Sequence, residues 1–196
     1  MLHLAKLPFE NIVLLNDDEG TPIKMIGKKQ LPILQKKDGE YISESLDIVE
    51  FLDKNLNILG GKRDANIELW TNDSSNYLFK LIFPRVVKIG LPEFATESAI
   101  KYFQERKEAL IGMTFEEALK ETDELKMEAE YHLKLLSPLL QKLPSLKNKD
   151  FSLDDIILFP ILLLLTSVYG LKWDKKVQDY LRHVSSLATI PFFKPI

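Results

Sequence analysis

The apolar pattern of the chain changes character near residue 60, and no single regular architecture accommodates both sides of the change. Before that point, residues 11–15 form a short run of strand formers stopped by the turn cluster Asn16, Asp17 and Asp18. A second strand candidate spans 30–35 and leads through Lys36-Lys37-Asp38-Gly39 into Glu40-Tyr41-Ile42. Asp-Gly between two apolar runs is hairpin chemistry, because glycine readily takes the positive φ that such turns require. Pro32 lies inside the second run, where it has no amide to donate, and so it demands an edge position or special backbone geometry. Ser43 can cap a helix in which Leu46, Val49, Phe51, Leu52 and Leu56 recur at helical spacing. Residues 9–56 therefore read as strand, short connection, hairpin and helix.

Gly60, Gly61, Lys62, Arg63 and Asp64 make a polar, glycine-containing stretch suited to a linker, which places a domain boundary near residue 62. Beyond it the pattern is helical to the end, with segments near 65–89, 97–111, 115–142, 153–169 and 174–187. The greasiest run, 156–168, is interrupted by Pro160, Thr166 and Ser167. It is well short of the roughly 20 residues of a membrane-spanning helix, so a buried core helix is expected. Just before it, Ser152 can accept from the amide of Asp155 while the Asp155 carboxylate reaches back to the amide of Ser152, and Phe151 can staple onto Ile156. Asp154 and Asp155 also suit the positive end of the helix dipole, which marks both as structural rather than as an acid/base pair.

Composition excludes several classes of function. The 26 Lys and Arg against 29 Asp and Glu leave a formal charge of −3, and no concentrated basic face suggests nucleic-acid binding. With no cysteine, these 196 residues hold no disulfide, no thiolate metal site and no cysteine nucleophile. His3, His132 and His183 are far apart and lack the spacing that places two ligands on one helix face, so no metal is expected. Gly60-Gly61-Lys62 lacks the spaced first glycine and the following Ser or Thr of a phosphate loop, and no serine sits in a Gly-x-Ser-x-Gly elbow. The N-terminus has no basic region followed by a sustained apolar stretch, so a cytoplasmic protein, not membrane-bound, is expected.

What remains is the neighbourhood of Pro32 and the start of the helix after Ile42. A strand ending at a proline offers the preceding residue's amide and carbonyl to an extended peptide, which adds as a short antiparallel strand. Free amides at the next helix N-terminus, with the Ser45 hydroxyl beside them, attract a carboxylate. Together they could hold a small acidic peptide at two points. A proline-kinked strand followed by an ordinary capped helix fits the same spacing.

At these residues the sequence resembles the glutaredoxin 2 family, the larger bacterial glutaredoxins built like glutathione transferases. The resemblance is carried by residues 13–18, Thr21-Pro22, residues 25–35 and residues 44–49. It continues through Gly61-Lys62-Arg63, Phe83-Pro84-Arg85, Lys101-Tyr102-Phe103 and the segment from Asp154-Asp155-Ile156 to Phe159-Pro160. It implies an α/β thioredoxin-like N-terminal domain over 1–60, here incomplete, and an all-α glutathione-transferase-like C-terminal domain over 61–196. By the same resemblance Pro32 is the cis-proline of a glutathione site, with Leu31 giving the backbone pair and Gln30 beside it. Glu44 and Ser45 match the Glu-Ser pair that receives the γ-glutamyl end of glutathione. Glutathione is thus the implied ligand and co-substrate. Glutathionylated proteins or small disulfides are the implied substrates, and a monomer is expected.

The departure from the family is as specific as the match. Members begin with a β-strand and a Cys-Pro-Tyr-Cys segment at the start of the first helix, and here residues 1–7 resemble the tail of that helix. Thiol transfer requires a thiolate with a lowered pKa, and no residue of this chain replaces it. The absent strand would lie between residues 11–15 and 30–34, so two unpaired edges and an opened apolar face are expected. Either Met1 is an internal methionine of a longer glutathione-dependent disulfide oxidoreductase, or the chain is a redox-dead relative; the retained glutathione-site residues favour the first. A non-enzymatic glutathione-binding or protein-interaction module is the alternative of a different class, and an orphan glutathione transferase is a third.

Overall fold

Both kinds of pattern are present in the computed structural model, which describes residues 1–3, 5–60, 63–147 and 151–196. Gly61 and Lys62 of the expected linker lie outside the described residues. In the first part, the hairpin forms as expected: β1 (Ile33–Gln35) and β2 (Tyr41–Ser43) pair antiparallel, with Ile33 opposite Ser43, Leu34 opposite Ile42 and Gln35 opposite Tyr41. Its turn uses Gly39 at φ +89°, where a side chain would be strained, and the Gly39 amide donates to the Lys36 carbonyl at 3.0 Å. Asp38 supports the turn by accepting from the Glu40 amide at 3.0 Å.

Three local expectations are corrected. Residues 11–15 are not a strand, since no described segment pairs with them; Ile12 is 72% exposed and Val13 44%. A strand is defined by the neighbour that satisfies its backbone, and this run has none among the described residues. The connection that follows contains a helix, α1 (Gly20–Ile26), begun by Asp18 accepting from the Thr21 amide at 2.9 Å and closed by Gly27 in the left-handed conformation. Ser43 does not cap the next helix, because it is held in the ladder opposite Ile33; α2 (Ser45–Leu56) starts two residues later.

The second part is helical: α3 (Ala65–Val86), α4 (Glu97–Ile111), α5 (Phe115–Lys120), α6 (Thr122–Leu140), α7 (Pro144–Lys147), α8 (Leu153–Leu165) and α9 (Lys175–Ala188). α3 packs against α4, α5, α6 and α8, while α9 packs on α6 and α8. The segment expected as one helix over 115–142 is divided at Glu121, which departs from helical geometry. There the Thr122 hydroxyl donates to the Leu119 carbonyl at 2.7 Å and accepts from Arg85, a side-chain alternative to the continuous backbone ladder.

α8 is the buried core helix its sequence suggests. Leu158, Leu162 and Leu165 are fully buried, as are Leu133 and Leu136 of α6 and Leu78 and Leu81 of α3. Each such leucine contributes on the order of 1.5–3 kcal/mol by leaving water. The α8 capping box forms as read: Ser152 accepts from the Asp155 amide, and Asp155 Oδ2 accepts from the Ser152 amide at 2.8 Å. Its other oxygen, Oδ1, accepts from Ser145 at 2.7 Å and from the buried Tyr180 hydroxyl at 2.9 Å. Burial, then the Asp155 charge, pushes the Tyr180 phenol well above its ordinary pKa.

The two parts are stapled at the same helix start. Leu59 makes a parallel bridge to Phe151, and the Gly60 amide donates to the Phe151 carbonyl at 2.6 Å. The Asp64 amide donates to Asp154 Oδ2 at 2.8 Å, and Arg63 Nε lies 3.7 Å from Asp154 Oδ1. Asp154 is therefore structural, as expected, but its work is interdomain. Burial is uneven across the staple: among the described residues of 1–60 only Pro22, Val49 and Leu52 are buried. Among the described residues no helix is long and apolar enough to cross a membrane.

Candidate functional site

The pairing of Ile33 with Ser43 determines which residues meet beyond the end of the ladder. Leu31 and Pro32 precede one partner, Glu44 and Ser45 follow the other, and the two dipeptides lie at the same end of the hairpin. The Leu31–Pro32 peptide is cis. Leu31 is exposed, and neither its amide nor its carbonyl has a backbone partner among the described residues. An extended peptide can use both groups.

Across from it, Glu44 sits at φ +76°, ψ +124°, an unusual conformation for a residue with a Cβ. Such a conformation costs on the order of 1–3 kcal/mol and persists where surrounding structure enforces it, commonly at binding sites. Its effect is to turn the chain from β2 directly into α2 with no side-chain cap on the helix. The first amides of α2, beginning with Ser45, are left without a side-chain cap at the positive end of the helix dipole. Glu44 Oε1 is 4.0 Å from Lys28 Nζ, both largely exposed.

Gln30 and Leu31 also form one wall of a cleft of about 270 Å³, with Asn16 and Lys29 beside them. The opposite wall is the face of α4 carrying Tyr102, Phe103, Arg106 and Lys107. Pro32, Glu44 and Ser45 are not part of this lining; they stand at the hairpin end next to it. The cleft is held together by contacts across the two parts. The Asn16 amide donates to the Glu93 carbonyl at 2.9 Å, and the Tyr102 hydroxyl donates to Glu19 Oε1 at 2.6 Å, which raises the Tyr102 pKa. Lys29 Nζ donates to the carbonyls of Asn16 and Asp18 and lies 5.6 Å from the Tyr102 ring centre.

The basic residues of the cleft were not singled out from the sequence. Lys101, Arg106 and Lys107 on one helix were the available signal, but nothing local says that two of them meet Leu31. Arg85, within one of the matched family stretches, has a structural position: it is buried and donates to the Leu81 carbonyl and the Thr122 hydroxyl, both at 2.9 Å. No group of three or more His, Asp or Glu among the described residues is arranged to hold a metal ion.

Comparison with known proteins accounts for both halves. Residues 66–196 match the family Glutaredoxin 2, C terminal domain, and residues 1–55 match Glutathione S-transferase, N-terminal domain. Glutaredoxin 2 of Escherichia coli strain K12 is 44% identical over 179 residues, which are 90% of this chain and 82% of the relative. This chain belongs to the glutaredoxin 2 family. Glutaredoxin 2 of Escherichia coli O157:H7 gives the same 44% identity and coverage. The crystal structure of glutaredoxin 2 from Salmonella typhimurium in complex with glutathione superimposes with a TM-score of 0.89 at 40% identity, covering 97% of this chain and 88% of that one. The glutaredoxin 2 architecture is thus present as expected: a thioredoxin-like first part with a two-stranded sheet and its helices among the described residues, followed by a helical glutathione-transferase-like domain. Unlike the chemistry the family name denotes, the 196 residues contain no thiol.

Proposed function

We propose that the hairpin end binds glutathione, with Leu31 pairing its backbone to the cysteinyl residue and Ser45, at the start of α2, receiving the γ-glutamyl carboxylate. Pro32 shapes the approach, Glu44 lies beside the γ-glutamyl group and Gln30 flanks the cleft side. The observation that carries this reading is the register: the open Leu31 backbone and the uncapped start of α2 are brought side by side by one ladder pair. The peptide's two requirements, a strand partner and an anion site, are then met at neighbouring positions. The relative solved with glutathione supports the choice of ligand.

In this reading residues 1–60 are the glutathione-binding unit and 61–196 the helical unit that backs it. Glutathionylated proteins or small disulfides are the substrate class of the family's reaction, in which a thiolate attacks the glutathionyl sulfur of the mixed disulfide, a new disulfide to glutathione forms and the substrate sulfur leaves as its thiolate. That step needs a thiol from outside these residues, because Ser, Thr and Tyr hydroxyls do not exchange with disulfides. The chain by itself is a glutathione-binding module without thiol-transfer activity, and the absence of cysteine is the observation that favours a binding role over an enzymatic one. The test combines a calorimetric titration with glutathione and a deglutathionylation assay of the same sample. Saturable binding without turnover is expected; turnover by the cysteine-free chain contradicts the proposal.

A further inference from the structure

The cleft beside the hairpin end has a charge pattern that glutathione binding at Leu31 and Ser45 does not use. Lys107 extends from α4 with Nζ 5.0 Å from the Phe83 ring centre and 5.5 Å from that of Phe103. Aromatic faces stabilise an ammonium there without neutralising it. Among the described residues Lys107 has no ion-pair partner; burial, then the like charge of Arg106, lowers its pKa. Arg106 is fixed by a hydrogen bond to the Tyr102 hydroxyl and by Glu19 Oε1 at 3.9 Å, with its guanidinium 5.0 Å from the Tyr102 ring centre. Lys29 is tied to backbone carbonyls, which bring no formal charge. Three cations, Lys29, Arg106 and Lys107, therefore line the cleft, and Glu19, which pairs with Arg106, is not part of that lining; the chain as a whole has a formal charge of −3. A partly desolvated cleft lined by one sign of charge attracts ligands of the other sign.

Leu31 lies on the opposite wall of the same cleft. In the glutathione reading the cysteinyl residue pairs with the backbone of Leu31, itself a lining residue of this cleft, so the cleft between Leu31 and α4 is the neighbouring space open to a group joined to its sulfur. We infer that Lys107 and Arg106 form a subsite for an anionic group on the second half of a glutathione mixed disulfide, and that the cleft selects disulfides carrying a carboxylate close to the sulfur. This rests on the glutathione reading of the hairpin end and extends it to the partner of glutathione. Lys107 is the principal contact, since Arg106 already shares its charge with Glu19.

The test uses two mixed disulfides of nearly equal size and opposite charge, glutathione with 3-mercaptopropionate and glutathione with cysteamine. The protein has no cysteine, so it does not consume either one during a titration. The parent should bind the carboxylate disulfide about tenfold more tightly than the amine, the scale of one charge-assisted contact. In Lys107→Gln, and in Lys107→Met, which keeps the aliphatic stem on the two rings, the preference should fall toward unity while affinity for glutathione itself stays within about twofold. If the parent binds glutathione but does not distinguish the disulfides, or if both variants keep the preference, the anionic subsite is wrong and the glutathione site stands. If glutathione and both disulfides fail to bind, both readings fall.

Discussion

Ile33 stands opposite Ser43, and that pair sets Leu31, two residues before β1, at the same end of the hairpin as Ser45, the first residue of α2. Ser45 is then the residue whose side chain can be removed without disturbing the ladder. The Ser45→Ala variant should keep its fold and lose about 1.5–3 kcal/mol of glutathione affinity, the usual worth of a hydrogen bond to a charged group. Calorimetry on the two proteins measures this; equal affinity shows that the hydroxyl is not used.

Tyr180 and Ser145 both donate to Asp155 Oδ1 in the helical core. Tyr180→Phe keeps the ring packing and deletes one donor to a buried carboxylate. A loss of about 1.5–3 kcal/mol in urea unfolding is expected, with glutathione binding unchanged because the site lies in the other half. Ser152→Ala, which deletes the cap of α8, should cost about 0.5–2 kcal/mol.

Asp154 gives a pH-dependent signature. Burial raises its carboxyl pKa above the ordinary value of 3.8, with the Asp64 amide and Arg63 opposing. The folded protein therefore holds this proton more tightly than the unfolded chain, and the resulting stability is complete below the unfolded value and lost as pH rises through the folded one. Asp154→Asn lacks this titration. Unfolding of the two proteins at several pH values between about 4 and 7 should show the parent losing stability relative to the variant as pH rises. The opposite trend means that the pairing with Arg63 outweighs burial.

Much of this was legible where the determining chemistry is local. Asp38-Gly39 announced the hairpin turn, Ser152 and Asp155 announced the cap of α8, and the greasy run after them became its buried helix. Local chemistry also misled: residues 11–15 have strand composition, but a strand requires a partner that composition does not supply. Thr122 breaks a long helical pattern through contacts with Leu119 and Arg85, and the Arg85 contact exists only after α3 and α6 have packed. The cationic wall was invisible for the same reason. Lys107 is far from Leu31 in sequence, and only the docking of α4 against the first part makes them two sides of one cleft.

The central claim is that glutathione occupies the hairpin end, touching Leu31 and Ser45 at once. Nitrogen-15 NMR of the labelled chain titrated with glutathione tests it most directly. The account predicts that the backbone amides of Leu31 and Ser45 shift together and saturate with a single dissociation constant, while those of α8 and α9 stay in place. Shifts that leave both amides unmoved, or that move one without the other, contradict it.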